Sequence, residues 1–207
     1  MTARLHCDFE TRAVVDLRKC GAARYAMDPE TEVLCCCYSL DDGETVHAWR
    51  RGDPPPRLLL DAVAAGATVV AHNAMFELLI WTYVCGPRMG WGPISPYQME
   101  CTMARAHVMS LPGSLDKVGE VLGLKQQKDT DGYKLMMSMC KPRKAAKHED
   151  PAGTYWHDGD MDRLVAYCAQ DVRAECALDE LLPPLSSRET AIYHFDLVVN
   201  LRGFRLD

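Results

Sequence analysis

The sequence predicts an α/β protein, a single domain in which a mixed sheet is flanked by helices. Three observations carry this. Residues 1–50 contain three separate strand-like segments, residues 57–84 alternate helix, strand and helix, and the second half is helical throughout. With 207 residues, 48% apolar and 25% charged, the chain has the make-up of a globular domain able to bury a substantial core.

The first strand is Leu5-His6-Cys7-Asp8-Phe9-Glu10-Thr11, an apolar run that ends in two carboxylates one residue apart. Residues 12–29 are mixed, of helical or irregular character. Val33 to Tyr38 is a buried strand. Asp42-Gly43 signals a hairpin turn, from which Thr45 to Trp49 returns. After Pro54 to Pro56, residues Arg57 to Ala65 form a helix closed by Gly66. Thr68 to Ala71 is the fourth strand, and Asn73 to Val84 a helix apolar on most sides, hence buried.

Pro87 to Pro96 reads as a loop. Helices are expected at Glu100–Met109 and at Ser114–Leu122, the latter with Ser114 as N-cap and Gly123 just past its end. A short helix follows near Tyr133–Cys140. Lys141 to Asp158, poor in apolar side chains, reads as a mobile loop. A long helix spans Met161 to Leu182, stopped by Pro183-Pro184. A three-strand meander joined to a β-α-β-α series is the ribonuclease H-like order.

Ten cysteines without C-x2-C or C-x4-C spacing argue against a zinc site, and contiguous Cys35-Cys36-Cys37 on a strand must alternate faces. They read as reduced core residues. No apolar run reaches the ~18 residues of a membrane span, and Met1-Thr2-Ala3-Arg4 leads straight into a strand, so a cytoplasmic protein with no membrane partner is expected. The net charge of −6 opposes nonspecific coating of nucleic acid. Lys125 to Lys147 is locally basic, and reads either as a solvated face or as a track for phosphates.

Three D-x-E triplets occur, and only Asp8/Glu10 closes an apolar strand. On a strand these two acids share one face, where they repel each other unless a cation lies between them. On the long helix Tyr167 and Asp171 stand one turn apart, beside the apolar stripe Leu164, Cys168, Val172 and Cys176 that would dock on the sheet. At the start of the buried helix, Asn73 is either its N-cap or a functional polar group. Glu77, one turn on, sits among Leu78, Leu79, Ile80 and Trp81, where a carboxylate needs a charged partner.

In their order, D-x-E, N-x3-E and Y-x3-D, these pieces resemble the Tyr-containing branch of the DEDD superfamily of 3′–5′ exonucleases. Cys101-Thr-Met, Leu111-Pro-Gly-Ser-Leu115, Leu122-Gly-Leu, Gln127-Lys-Asp129, Gly132-Tyr-Lys-Leu-Met136 and Lys141-Pro-Arg-Lys144 look like proofreading domains of phage-type family A DNA polymerases. The tail Asn200-Leu-Arg-Gly-Phe-Arg-Leu-Asp207 is similar to the segment where such enzymes enter their polymerase domain.

The resemblance implies an exonuclease domain over residues 1–185 and a helical tail over 186–207, either cut from a longer polymerase or naturally short, with no polymerase activity of its own. It implies two divalent ions, Mg²⁺ or Mn²⁺, on Asp8, Glu10, Glu77 and Asp171, with Tyr167 orienting the attacking water. Glu77 stands where the polymerase I-type pattern has Asp. Thr11, Asn73 and Phe76 would contact the terminal nucleotide, and Lys141 and Arg143 the backbone. The expected partners are a single-stranded or frayed DNA 3′ end and a polymerase domain on the same or another chain, in the host cytoplasm if phage-encoded. Two rival expectations are an exoribonuclease of the same superfamily and a catalytically silent module that binds nucleic acid or supports a polymerase.

Overall fold

The computed structural model describes residues 3–124, 129–157 and 159–203. Its first strand, β1 (Arg4–Arg12), lies at the centre of a five-stranded sheet. On one side β2 (Glu32–Ser39) pairs antiparallel with β1, and β3 (His47–Arg50) antiparallel with β2. On the other side β4 (Thr68–Ala71) and β5 (Met99–Cys101) add in parallel, giving the order β3-β2-β1-β4-β5. A mixed sheet covered by helices is the ribonuclease H-like architecture that the order of elements predicts.

Strand alternation divides the interior in two. Leu5, Cys7 and Phe9 of β1 enter one core together with Val33 and Cys36 of β2 and Val69 of β4. That core is closed by α1 (Leu17–Met27), α2 (Arg57–Ala64) and α3 (Ala74–Ile80), through Tyr25, Leu59 and Leu78. The opposite face meets α8 (Met161–Leu181), whose Leu164, Cys168, Val172 and Cys176 pack on Cys35 and Cys37, as the apolar stripe predicts. The cysteines are reduced and, apart from half-buried Cys20 and Cys140, buried. Small size and low polarity let them line both faces of β2.

The local chemistry accounts for most boundaries. Asp42 and Gly43 both adopt positive φ in the β2–β3 turn, where Ser39 Oγ accepts the Gly43 N–H at 2.9 Å. Gly66, also at positive φ, ends α2 by donating to Val63 O at 3.0 Å. The buried helix departs from a plain α-helix. After α3 it passes through a π turn at Trp81–Cys85 into α4 (Gly86–Met89), which occupies the start of the expected loop. Pro87 has no N–H to give, and the ladder widens just before it.

Two elements escape the pattern. Residues 12–29 contain α1, the helical of the two readings, whose mostly small apolar side chains form no clear stripe and which is interrupted at Gly21 (φ 77°). The stretch expected as one helix from Glu100 begins with β5, whose three residues are too few to show an alternation. The rest is α5 (Thr102–Val108). Then come α6 (Leu115–Val121), α7 (Thr130–Met139) and, beyond α8, α9 (Ser187–Arg202). Ser186 and Glu189 form a reciprocal capping box at the start of α9, and its Leu197 is buried in the same core as β1.

The segment from Lys141 onward, expected to be a mobile loop, is irregular but tied together. The Arg143 backbone N–H donates to Tyr155 O at 2.8 Å, and its guanidinium makes two 2.7 Å bonds to Glu149. Among the described residues no helix is long and apolar enough to cross a membrane.

Candidate active site

Asp8 and Glu10 project from the same face of β1, toward α8. Directly after Glu10 the β1–β2 register shifts, so that Glu10 faces Cys35 while Thr11 faces Val33. A bulge of this kind bends a strand and re-aims the side chains beside it. From α8, Asp171 reaches the same place, and carboxylate oxygens of Asp8, Glu10 and Asp171 all lie within 4.8 Å of one another. These three acids could hold a metal ion. Burial pushes the Asp8 carboxyl up to about 6 and that of Asp171 to about 8, with the Asp8 charge adding to the latter. Burial, then Asp8, raises Glu10 well above the usual carboxylate range.

Glu77 approaches from the first turn of α3. It is buried, its Oε2 has no hydrogen-bond partner, and burial followed by the Asp8 charge drives its carboxyl upward. Glu77 is not one of the acids that lie within 4.8 Å of one another, but it is near enough for the Asp8 charge to act on it. An orphaned, buried carboxylate oxygen is costly and suits a cation. The donor set is entirely hard oxygen, which fits Mg²⁺ or Mn²⁺ better than a thiophilic ion.

Tyr167 lies one turn before Asp171 on α8 and donates its hydroxyl to that carboxylate. Burial, then Asp171, raises its own ionisation far above the ordinary phenol value, so it keeps its proton at neutral pH. The neighbouring Cys168 is not merely core. Its Sγ–H reaches Asp8 Oδ2 at 3.3 Å and Asp8 O at 3.4 Å, a weak donor facing an acid of the cluster.

One buried acid escaped the sequence reading. Glu175, a further turn along α8, is fully packed, with Oε1 2.9 Å from His6 Nδ1 and Oε2 accepting the His72 N–H at 3.2 Å. It thereby joins α8, β1 and the turn into α3. The His72 ring is fixed as well, with Nε2 donating to Gly113 O and Nδ1 accepting from Thr102, each at 2.9 Å. Spacing could have flagged it, because Tyr167, Asp171, Glu175 and Asp179 recur every fourth residue. Asn73 follows in the left-handed conformation (φ 72°) and makes no capping bond, so the N-cap reading does not account for it.

Beside the cluster opens a cavity of about 280 Å³ lined by, among others, Phe9, Glu10, Thr11, Phe76, Met136 and Lys141. Thr11 Oγ1 lies 2.9 Å from the Tyr25 hydroxyl, and the Phe76 ring is tilted against Tyr25 at 6.1 Å. Asn73 is exposed at the start of α3 and does not line this cavity. Arg143 is engaged with Glu149, whose carboxyl it holds down at about 2. Lys125 and Lys128, part of the basic segment, and Gln127 lie outside the described residues, as do residues 204–207 of the tail.

No family model matches the sequence. A DNA polymerase of Bacillus phage SP02 is 32% identical over 212 residues, a match that takes in 98% of this chain and 32% of that protein. The chain therefore spans about a third of the length of the curated relative it matches.

Proposed function

We infer that the chain is a metal-dependent 3′–5′ exonuclease of proofreading type, associated with a phage DNA polymerase and acting in the host cytoplasm. It would release nucleoside monophosphates from the 3′ end of single-stranded or frayed DNA. The observation that carries this reading is the convergence of Asp8, Glu10 and Asp171 within 4.8 Å, and the buried, unpartnered Glu77 carboxylate, on which the Asp8 charge acts, supports it. Similarity to a phage DNA polymerase supports the choice of DNA as substrate and of a polymerase domain as partner. Residues 1–185 would form the nuclease domain, and 186–207 the tail that leads toward that partner.

In this reading Asp8, Glu10 and Asp171 hold one divalent ion, and Asp8 with Glu77 a second. When bound, such a pair neutralises the carboxylates, activates water and stabilises the charge on the leaving 3′ oxygen. The protein's own groups do the rest. Tyr167, protonated at neutral pH with its hydroxyl given to Asp171, would orient the water through its oxygen rather than take its proton as a base. The cavity beside Glu10, near the small end of ligand sites at about 300 Å³, would take the terminal nucleotide, with Thr11, Phe76 and Lys141 on its walls. Asn73, uncommitted to capping, would meet the nucleotide from the start of α3.

The deciding experiment incubates the protein with 3′- and 5′-labelled single strands of DNA and of RNA, with Mg²⁺, with Mn²⁺ and with EDTA. Metal-dependent loss of the 3′ label one nucleotide at a time, faster on DNA, is the expected outcome. Degradation from the 5′ end, faster loss from RNA, or no degradation at all would overturn the assignment.

A further inference from the structure

The chain enters α7 directly against the Tyr167 ring. A Cβ on Gly132 would lie 2.6 Å from Tyr167 Cδ2 and 2.5 Å from Asp129 Oδ2, closer than real side chains come. Gly132 sits inside the helix, where glycine weakens the backbone and no positive φ calls for it. Space, not conformation, accounts for the residue. Asp129 is held from two sides. Its Oδ1 accepts the Gly132 N–H at 2.9 Å, capping α7, and its carboxylate pairs with Arg163. Arg163 lies on α8, one turn before Tyr167 and on the same face.

We propose that Asp129 and Gly132 are positioning residues, which lock the start of α7 onto α8 so that the Tyr167 phenol points at Asp171. This rests on the nuclease reading, and adds to it two residues outside the acid cluster, of which Asp129 lines a small pocket with Tyr167 and Asp171 and its charge reaches Asp171. A tyrosine has several staggered χ1 wells, and the hydroxyl meets Asp171 from one of them. Closing the others before substrate arrives removes an ordering cost from the reaction itself. The Asp129–Arg163 pair sets the separation of the two helices, and the bare Cα of Gly132 leaves the gap that the ring fills.

The test is a double-mutant cycle read as steady-state release from a 3′-labelled single strand. Gly132→Ala should lower kcat by roughly 10- to 100-fold, no further than Tyr167→Phe does, with KM within about twofold. In the Tyr167→Phe background the ring and the clash remain but no hydroxyl is left to misplace, so Gly132→Ala should add nothing. An equal loss in both backgrounds, or no loss in either, overturns the proposal. Should Gly132→Ala fail to fold, Asp129→Ala loosens the same turn without adding atoms and enters the same cycle. If the unmodified protein degrades no DNA, the nuclease reading fails, and thermal melts still decide the contact. Gly132→Ala should then lower Tm by about 3–10 °C beside Tyr167, and by less beside Tyr167→Ala, where only the contact with Asp129 remains. Equal shifts overturn it.

Discussion

Glu77 Oε2, buried and without a hydrogen-bond partner, and the raised ionisation of Asp8, Glu10 and Asp171 have one physical cause. Three acids are gathered where water does not reach them well, a buried fourth feels the Asp8 charge, and only a proton or a cation can settle them. Replacing one of the three mutually close acids should therefore cost more than any single contact to substrate. Asp8→Ala or Asp171→Ala is expected to reduce 3′ nucleotide release by at least about 100-fold, measured on a labelled single strand with saturating Mg²⁺. Cys168→Ala removes a weak donor to Asp8 and should cost roughly a few fold in the same assay, as one thiol hydrogen bond is a small term. The pair Asp8 and Glu10 was legible because strand alternation alone puts residues i and i+2 on one side. The thiol was not, because nothing in a cysteine-rich sequence says which cysteine faces an acid.

At the scale of elements, α8 holds the site together. Its apolar stripe docks on β2, while Asp171 and Glu175 on the same helix reach β1 and the turn into α3. Glu175→Ala would leave His6 Nδ1 and the His72 N–H unpaired in a buried place. A loss of about 2–4 kcal/mol in unfolding free energy is expected from denaturant melts, and Glu175→Gln, which keeps an acceptor, should recover much of it. The irregular segment after α7 offers a contrast. The Arg143 guanidinium ties it to Glu149 and Trp156 O, so Arg143→Ala should loosen this segment, seen as faster amide exchange at residues 143–155. Lys141, on the cavity wall, should behave differently. Lys141→Ala is expected to weaken oligonucleotide binding and flatten its salt dependence by about one charge. That α7 caps itself with Asp129 could have been noticed in the sequence, but its contact with Arg163 across two helices could not.

For the molecule as a whole, the acid cluster links stability to pH in an unusual direction. Asp8 and Asp171 have folded-state values, about 6 and about 8, above the ordinary 3.8 of an unfolded Asp. Their contribution is fully present below about pH 4 and is lost as pH rises through about 6 and then about 8. Other groups set the overall profile, but this part of it must weaken toward alkaline pH in the metal-free protein. A divalent ion held by these carboxylates would bind their ionised form, so Mn²⁺ should raise Tm little at pH 5 and progressively more toward pH 8.5. Differential scanning fluorimetry with EDTA and with Mn²⁺ at a series of pH values checks both halves. A metal-induced shift that does not grow with pH would mean that the carboxylates are not the ligands.

By itself the sequence determined the order of strands and helices, the stripe that seats α8, and the acids that share a face with a near neighbour. Those depend on periods of two and of 3.6 residues, which are local properties of the chain. Only the tertiary structure decided that β1 is central, that three residues before α5 form a fifth strand, and that Glu77 is buried with an oxygen unmet. It also decided that Arg143 serves its own loop and that a glycine makes room for Tyr167. Apart from the Arg143–Glu149 pair, which closes within one loop, each of these is a meeting of residues far apart along the chain, fixed by how the layers pack and carried by no repeat in the sequence.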